Sequence, residues 1–289
     1  MTITSALNAP FVRSDAGTLR NVLLLGPTEG IARVAPVYGE SNAIAERAQD
    51  QFNILTGRLS SLGVKVTTLE SGAALATFGS SCSDGAVIFE DGAFMMRPSD
   101  VRRRAEIANL EDALGRAGIP AVGRIEAPGL LDGGDVLLTE DTLFIGYPKT
   151  RRAEVGIPPG LHGNALGREQ LAAYARSTGR SVVDVAIAAE VGRFRSIASL
   201  IDSRTILLAP GLLDASAFAN MTLIEAPRGE DYGAGVLVLG NRRVLANLRF
   251  RETIPLLRKA KIAVEAIDLW EFGKIGVTPS ALALALKRT

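Results

Sequence analysis

The chain has 289 residues, of which 47% are hydrophobic and 22% are charged, a composition that excludes a disordered, collagen-like or low-complexity protein. Its 32 Lys and Arg and 31 Asp and Glu leave a net charge of +1, so no basic field indicates nucleic acid or an anionic membrane as a partner. The single cysteine, Cys82, excludes an intrachain disulfide and fits a reducing compartment. Without a signal pattern or an apolar run of about 20 residues, the sequence predicts a cytoplasmic protein.

The N-terminal part of the chain is predicted to contain a strand, a helix and a second strand. Residues 21–26 (NVLLLG) form a short apolar run that reads as a strand. Residues 41–63 carry apolar side chains at steps of three and four and end at Gly63, the pattern of an amphipathic helix. The run VKVTTL at 64–69 follows as the next strand.

Hairpins follow at intervals along the rest of the chain. Two β-prone runs split by Asp, Gly or Asn predict a hairpin, and this pattern occurs at 85–98, 135–148, 197–210 and 234–248. Most hairpins precede a helical pattern and a further strand, predicted as helices over 101–118, 171–179 and 254–260 and strands over 119–125, 181–187 and 262–269. In one repeat the helical segment, 212–220, is too short for a full helix.

The unit of strand, strand, helix and strand therefore recurs about five times at uneven spacing. No linker rich in Pro, Gly or Ser divides the chain, so we expect one domain over 1–289, with 1–20 as an N-terminal arm. A ring of such units would place its hairpin ends around a central pocket. The patterns alone leave an ordinary open α/β sheet as an alternative.

This repeat, together with LDGGDVL at 131–137, resembles the pentein superfamily over about 21–286. The similarity is greatest to the dimethylarginine dimethylaminohydrolases and arginine deiminases, to which amidinotransferase-like proteins are related. The resemblance implies an α/β fold, a pentein α/β propeller of about five ββαβ units. It also implies attack on a guanidinium carbon by a cysteine thiolate, with a histidine that shuttles protons and two acids that hold the planar cation.

The resemblance implies a position for the first acid. Arg97-Pro98 matches an Arg-Pro of the family, and counting back from it without gaps leads to Asp84 as the substrate-binding acid. Ser83 then stands where the family has a glutamate. The alternative acids, Glu90-Asp91, align with Glu140-Asp141 of the next repeat at a predicted hairpin tip, where carboxylates are typical of a solvated turn.

The second acid implied by the resemblance is Asp132, and Asp135 in the same run is expected to be a scaffold residue. The flanking glycines would let backbone and ligand approach closely. Arg103 matches an arginine that holds a substrate carboxylate in the family. A place on a solvated helix face is the alternative for Arg103.

The sequence departs from the family pattern at both reactive positions. Arg193 stands where the histidine should be, and the sole histidine, His162, lies in PPGLHGN, for which we expect a surface loop. Pro279 stands where the cysteine should be, with Thr278 and Ser280 beside it, so the thiolate route cannot operate there. A hydroxyl without a base is a weak nucleophile.

Cys82 is the alternative source of a thiol. It lies two residues from Asp84, so on a strand both side chains would point to the same face. It is therefore either a relocated nucleophile or a small buried hydrophobic residue, as free cysteines often are.

Three functional hypotheses follow. In the first, the chain is a hydrolase that directs water to a planar N–C–N carbon, with 2-nitroimidazole as a candidate substrate because nitrite leaves readily. In the second, it binds a guanidino compound without turnover, and in the third it is an assembly or translation-associated interaction module. The candidate catalytic residues are Asp84, Asp132, Arg193, Cys82 and Ser280, and the candidate substrate-binding residues are Asp84, Ser83, Asp132, Arg103 and Thr278.

The sequence carries no paired His or Cys spacing for a metal and no phosphate-loop pattern for a nucleotide. We therefore expect no metal and no cofactor, a small molecule as the partner, and neither nucleic acid nor membrane. The sequence leaves open whether the chain forms a homo-oligomer.

Overall fold

The structure, a computed structural model, describes residues 10–39, 41–69, 80–149 and 163–289. In these ranges the strands are β1 (Leu19–Leu25), β2 (Lys65–Leu69), β3 (Ala86–Ile88), β4 (Ala93–Met95), β5 (Ala121–Arg124), β6 (Val136–Leu138), β7 (Thr142–Pro148), β8 (Ser181–Ile187), β9 (Ala198–Asp202), β10 (Thr205–Leu208), β11 (Thr222–Glu225), β12 (Leu237–Gly240), β13 (Arg243–Asn247), β14 (Ala263–Ile267) and β15 (Ala283–Arg288). The α-helices of the same ranges are α1 (Ala45–Ser61), α2 (Glu106–Arg116), α3 (Ala165–Ser177), α4 (Phe194–Ile197), α5 (Thr253–Lys259), α6 (Trp270–Lys274) and α7 (Pro279–Leu282).

The described strands form five three-stranded sheets with one common topology. In each sheet the first strand pairs antiparallel with the second, and the second pairs parallel with the third, as β3, β4 and β5 do. A parallel pair requires a crossover, which α1, α2, α3 and α5 supply in four of the sheets. The predicted ββαβ repeat is therefore confirmed, and the open α/β sheet is excluded.

The chain ends close the ring of sheets. The last strand, β15, pairs antiparallel with β1, which in turn pairs parallel with β2. One sheet is thus built from both ends of the described chain. This closure gives a five-bladed propeller.

Several predicted boundaries agree with the structure and others move. The strand predicted over 181–187 is β8, and the weak segment 212–220 contains only a 3-10 turn, Ala215–Phe218. The helix predicted over 101–118 starts later, because Val101–Arg103 forms a separate 3-10 turn before α2. The predicted helix ends at Gly63, Gly118 and Gly179 all coincide with positive φ angles, which glycine adopts without steric cost.

The core lies between the sheets and the helices that cross over them. In α1 the buried side chains are Ala48, Phe52, Leu55 and Leu59, at the helical spacing that the sequence predicted. They pack in one cluster with Val22 and Leu24 of β1 and with residues of β15. No helix in the described ranges is long and apolar enough to cross a membrane.

A short turn precedes the first strand of every blade, and these five segments meet at one end of the propeller. We call them the rim turns: Cys82–Asp84, Gly133–Asp135, α4 (Phe194–Ile197), Asp231–Ala234 and α7 (Pro279–Leu282). Below them, between the first strands, lies a narrow cavity of about 30 Å³ whose lining includes Ser83 and Arg288. The rim turns carry or adjoin most of the residues that the sequence singled out.

Candidate functional site

Three rim turns bring Asp84, Asp132 and Arg193 into direct contact. The Arg193 guanidinium lies against both carboxylates: its Nη2 donates to Asp132 Oδ1 at 3.0 Å and its Nε donates to Asp84 Oδ1 at 3.3 Å. Asp84 ends one rim turn, while Asp132 and Arg193 each immediately precede another. The two acids thus face a common space, and an arginine of the same chain lies between them.

Each acid also accepts hydrogen bonds from other groups of the protein. Asp132 Oδ2 accepts from the Ser99 hydroxyl at 2.6 Å and from the Ser99 backbone N–H at 3.3 Å. Asp84 Oδ2 accepts from Arg103 Nη1 at 2.6 Å, and its Oδ1 accepts from the Gly134 N–H at 3.1 Å. Every carboxylate oxygen of the pair therefore has a protein donor.

The electrostatic surroundings separate the two acids. Burial opposes ionisation of Asp84, but the positive charges of Arg193 and Arg103 outweigh it and hold the pKa of Asp84 below its usual value. Burial raises the pKa of Asp132, and the charge of Arg193 offsets only part of this effect. Burial also works against the charge of Arg193, yet Asp132 and Asp84 raise its pKa above the usual value. Asp84 and Arg193 therefore stay charged, and Asp132 is the more easily protonated acid.

Glycines create the space in which these side chains meet. A Cβ atom on Gly134 would lie 2.3 Å from Asp84 Oδ1 and 3.0 Å from Arg193 Cδ, far inside van der Waals contact. A Cβ atom on Gly133 would lie 2.2 Å from the Ser83 carbonyl oxygen. Both positions thus need glycine for close approach, as the sequence analysis expected of this run.

Asp135 fixes the segment that carries Arg193. Its Oδ1 accepts a hydrogen bond from the Phe194 N–H at 3.0 Å, at the first residue of α4. Asp135 is fully buried, and Phe194 beside it is packed in a core cluster with residues of β6 and β7. This contact anchors the backbone next to Arg193 and corresponds to the scaffold role predicted for Asp135.

Arg103 differs from both sequence interpretations, because it is buried and paired with groups of the protein. Besides Asp84, its guanidinium donates to Glu106 Oε2 at 3.1 and 3.2 Å and to the Ser81 carbonyl at 3.0 Å. The prediction that Arg103 lies on a solvated helix face is therefore wrong. The predicted contact with a substrate carboxylate has no support in this geometry, since the donors of Arg103 already meet protein acceptors.

Cys82 lies in a 3-10 turn with Asp84, so the strand geometry assumed from the sequence is wrong. The thiol is buried, and this burial raises its pKa to about 12. A thiol needs to be ionised to act as a nucleophile. Cys82 instead lines a cavity of about 310 Å³ together with Leu110, Arg103 and Glu106. Of the two alternatives for Cys82, a relocated nucleophile or a small buried hydrophobic residue, its surroundings match the second.

The hydroxyl candidates are buried and point to structural partners. Thr278 Oγ1 and Ser280 Oγ are 2.9 Å apart, and Ser280 Oγ donates to the Arg195 carbonyl at 2.9 Å. Pro279 between them is the first residue of α7. Ser83 is buried beside the narrow axial cavity, and its hydroxyl has no hydrogen-bond partner among the described residues.

The remaining candidates lie elsewhere in the molecule. Glu90 and Asp91 occupy the turn between β3 and β4, as predicted, and Asp91 accepts hydrogen bonds from the Tyr174 hydroxyl. His162 lies outside the described residues. In the part of the chain that the structure describes, no three His, Cys, Asp or Glu side chains come together in a way that could hold a metal ion.

Two members of the site were not predicted from the sequence. Ser99 binds Asp132 through both its hydroxyl and its backbone N–H, and Glu106 completes the pairing of Arg103. The spacing of Arg103 and Glu106, three residues apart, is a recognisable ion-pair signal near a helix start. Ser99 follows the Arg97-Pro98 pair that located Asp84, but no sequence pattern connects it to Asp132.

Comparison with known proteins agrees with this architecture. No protein-family model matches the chain. The N(G),N(G)-dimethylarginine dimethylaminohydrolase of Streptomyces coelicolor is 31% identical over 204 residues, which cover 71% of this chain and 72% of the relative.

Two solved structures share the fold. A mutant dimethylarginine dimethylaminohydrolase of Pseudomonas aeruginosa, complexed with citrulline, superposes with a TM-score of 0.79 at 22% identity, over 92% of this chain and 99% of that one. An amidinotransferase of the saxitoxin biosynthetic pathway from Microseira wollei also reaches 0.79, at 14% identity, over 96% and 97% of the two chains.

A closed ring of five ββαβ blades, with acids on its rim turns, defines a protein of the pentein superfamily, and the superfamily predicted from the sequence is confirmed. Within that superfamily, the chain belongs to the dimethylarginine dimethylaminohydrolase family.

Proposed function

We propose that the chain is a hydrolase that breaks a carbon–nitrogen bond in a small, planar N–C–N compound by attack of water. The observation that carries this proposal is the meeting of Asp84, Asp132 and Arg193 on neighbouring rim turns. Membership of a family whose named relatives are dimethylaminohydrolases supports the type of reaction. The departures at Arg193 and Pro279 support water as the nucleophile, because neither side chain can form a covalent intermediate as cysteine does.

The electrostatic differences in the site suggest a role for each residue. Asp132 has the raised pKa and is the proposed general base, since a base is most effective when its pKa approaches the working pH. Asp84 stays ionised and, with Asp132, holds Arg193 in place. Arg193 is the proposed electrostatic catalyst, because a fixed cation stabilises negative charge that develops on the substrate.

In the proposed step, water attacks the carbon that lies between the two nitrogens. A new C–O bond forms while Asp132 takes the proton from the water, and the leaving group departs with the electron pair of the broken C–N bond. A carboxylate oxygen can accept more than one hydrogen bond, so the contact with Arg193 leaves Asp132 able to accept from water. A good leaving group favours this route, and 2-nitroimidazole, which releases nitrite, is the candidate substrate.

The other candidates have smaller roles in this proposal. Thr278 and Ser280 support the rim turn α4, since the Ser280 hydroxyl donates a hydrogen bond to the Arg195 carbonyl. Ser83 and Arg103 support the rim turn of Asp84, Arg103 through its direct contact with that carboxylate. Cys82 takes no catalytic part, because its pKa is raised to about 12.

The experiment is incubation of the protein with dimethylarginine, other guanidino compounds and 2-nitroimidazole, with assays for ammonia, amine and nitrite. We expect consumption of a planar N–C–N compound and a loss of about 10²–10⁴-fold in turnover for Asp132→Asn, the usual contribution of a general base. The matched control is Asp91→Asn at the turn between β3 and β4, which should keep wild-type turnover.

The second candidate function is binding of a guanidino compound without turnover. The hydroxyl groups of Thr278 and Ser280 favour it, because they are hydrogen-bonded to each other and to the Arg195 carbonyl and offer no activated nucleophile. Compounds that raise the melting temperature and are never consumed would establish this binder. A panel that is neither bound nor consumed would contradict both functions in favour of an interaction module.

A further inference from the structure

The guanidinium of Arg193 occupies the space between the two acids of the site. Asp84 and Asp132 are the two carboxylates that face it, at 3.3 Å and 3.0 Å from its nitrogens. Two carboxylates on one guanidinium form a charge-assisted arrangement, which is stronger than contacts between neutral groups. The chain therefore places the same chemical group in its own site that a guanidino ligand would bring.

Arg193 also lies on the solvent side of the acids. Its side chain is 15% exposed, whereas the side chains of Asp84 and Asp132 are 3% and 0% exposed. A ligand that approaches the carboxylates from solvent consequently meets Arg193 first. These exposed fractions indicate that Arg193 covers Asp84 and Asp132 on the side that faces solvent.

The surrounding backbone is shaped to hold this arginine. The absence of a Cβ on Gly134 leaves room for the Arg193 stem, whose Cγ and Cδ would otherwise be 3.1 and 3.0 Å from that atom. Arg193 Nη1 donates to the Gly192 carbonyl at 2.7 Å, and Asp135 anchors the following residue, Phe194. The space at Gly134 and these two hydrogen bonds thus fit the stem, the guanidinium and the adjoining backbone of Arg193 in one position.

The two carboxylates that contact the Arg193 guanidinium are already paired with it. Asp84 is paired with Arg103 as well as with Arg193, and Asp132 is paired with Arg193. A second guanidinium beside Arg193 would face a like charge at contact distance without a new carboxylate to compensate it. An uncharged or anionic ligand meets no such repulsion.

We propose that Arg193 is an internal ligand that closes the site to guanidinium cations and selects uncharged or anionic planar compounds. This inference rests on the proposed function only in taking the rim site as the place where the substrate binds. It makes Arg193 the residue that determines specificity. Removing the arginine side chain should open the acid pair to an external guanidinium.

The test compares binding of methylguanidinium chloride to the wild-type protein and to Arg193→Ala, by melting temperature at constant ionic strength. We expect a saturable rise for Arg193→Ala, with affinity at least about tenfold higher than for the wild type, because the cation replaces the missing side chain between Asp84 and Asp132. The added Asp132→Asn substitution should abolish the rise. The matched control is Arg124→Ala, which removes an arginine from an exposed pair with Glu111 and should resemble the wild type.

Arg193→Gln is the second variant, since its neutral amide can still bond to one carboxylate and keep the protein folded. Saturable binding to either Arg193 variant, with binding to the wild type absent or at least about tenfold weaker, supports the inference. Equal binding to wild type and variants, or none to both variants, overturns it.

The result is separable from the proposed hydrolase. If both Arg193 variants bind methylguanidinium and the wild type consumes no compound, the internal ligand stands and the hydrolase fails. If the wild type hydrolyses guanidinium compounds, the hydrolase stands and the internal ligand fails.

Discussion

Neutralising Asp84 should destabilise the protein by breaking a buried ionic network. Asp84 accepts from Arg103 at 2.6 Å, from Arg193 at 3.3 Å and from the Gly134 N–H at 3.1 Å. An asparagine keeps one acceptor oxygen but loses the charge, and its amide would point N–H groups at an arginine. Arg103 would then keep only the carboxylate of Glu106, and Arg193 only that of Asp132.

The expected cost follows from the burial of this network. Removing one partner of a buried ion pair costs about 3–5 kcal/mol, because the other charge remains without compensation. We expect about 3 kcal/mol for Asp84→Asn, the low end, since each arginine retains a second carboxylate. A chain of 289 residues has an unfolding entropy of about 0.6 kcal/mol per kelvin. The melting temperature should therefore fall by about 5 °C.

Scanning calorimetry of the wild type, Asp84→Asn and Glu111→Gln measures this effect. Glu111 pairs with Arg124 on the surface at 2.7 Å, and neutralising it should cost below about 1 kcal/mol. A double substitution with Arg193→Met should cost less than the sum of the single substitutions, because it removes charges of both signs from the same contact. If Asp84→Asn melts within about 1 °C of Glu111→Gln, Asp84 does not belong to a buried ionic network.

The remaining predictions concern pH, thiol reactivity and a helix cap. The pKa of Asp84 is lowered in the folded protein, so the stabilisation by its carboxylate is present above the unfolded pKa of about 3.9 and is lost as pH falls through the folded pKa. The melting temperatures of the wild type and Asp84→Asn should therefore converge below about pH 4. A constant difference between them would contradict this. Burial raises the pKa of the Cys82 thiol to about 12, so at pH 8 it should react with iodoacetamide about a thousandfold more slowly in the folded protein than in the unfolded protein. Equal rates would refute its burial. Glu230 accepts from the backbone N–H groups of Glu252 and Thr253 at the start of α5, so Glu230→Ala should lower stability by about 1 kcal/mol in calorimetry, and an unchanged melting temperature would contradict a capping role.

The fold was predictable because its signals are local and repeated. Hairpin tips of Asp, Gly or Asn recur before helical patterns, and glycines such as Gly63 and Gly179 end the helices at positive φ. Four of the five blades each lie within about 50 consecutive residues, and weak patterns that recur in the same order support one another. The blade with the turn Ala215–Phe218 in place of a helix was recognisable for the same reason.

The geometry of the rim was less accessible to sequence reasoning. The expectation that Cys82 and Asp84 share a face assumed a strand, but three residues before β3 form a 3-10 turn whose side chains diverge. Arg103 was expected to hold a substrate carboxylate or to lie on a solvated helix face, yet the same turn brings Asp84 to it and makes it a buried partner. Side-chain direction changes with each residue in such turns, so no periodic pattern predicts it.

The pairing of Arg193 with two acids depends on residues from three blades, separated by 109 and 61 positions in the chain. No local pattern connects such positions, although a physical requirement does. Two carboxylates buried side by side repel each other, and this repulsion is relieved either by protonation of one of them or by a cation between them. Arg193 supplies such a cation from within the chain. The two acids and Arg193 thus form one structural unit, and the chemistry of the site follows from which partner the acids already hold.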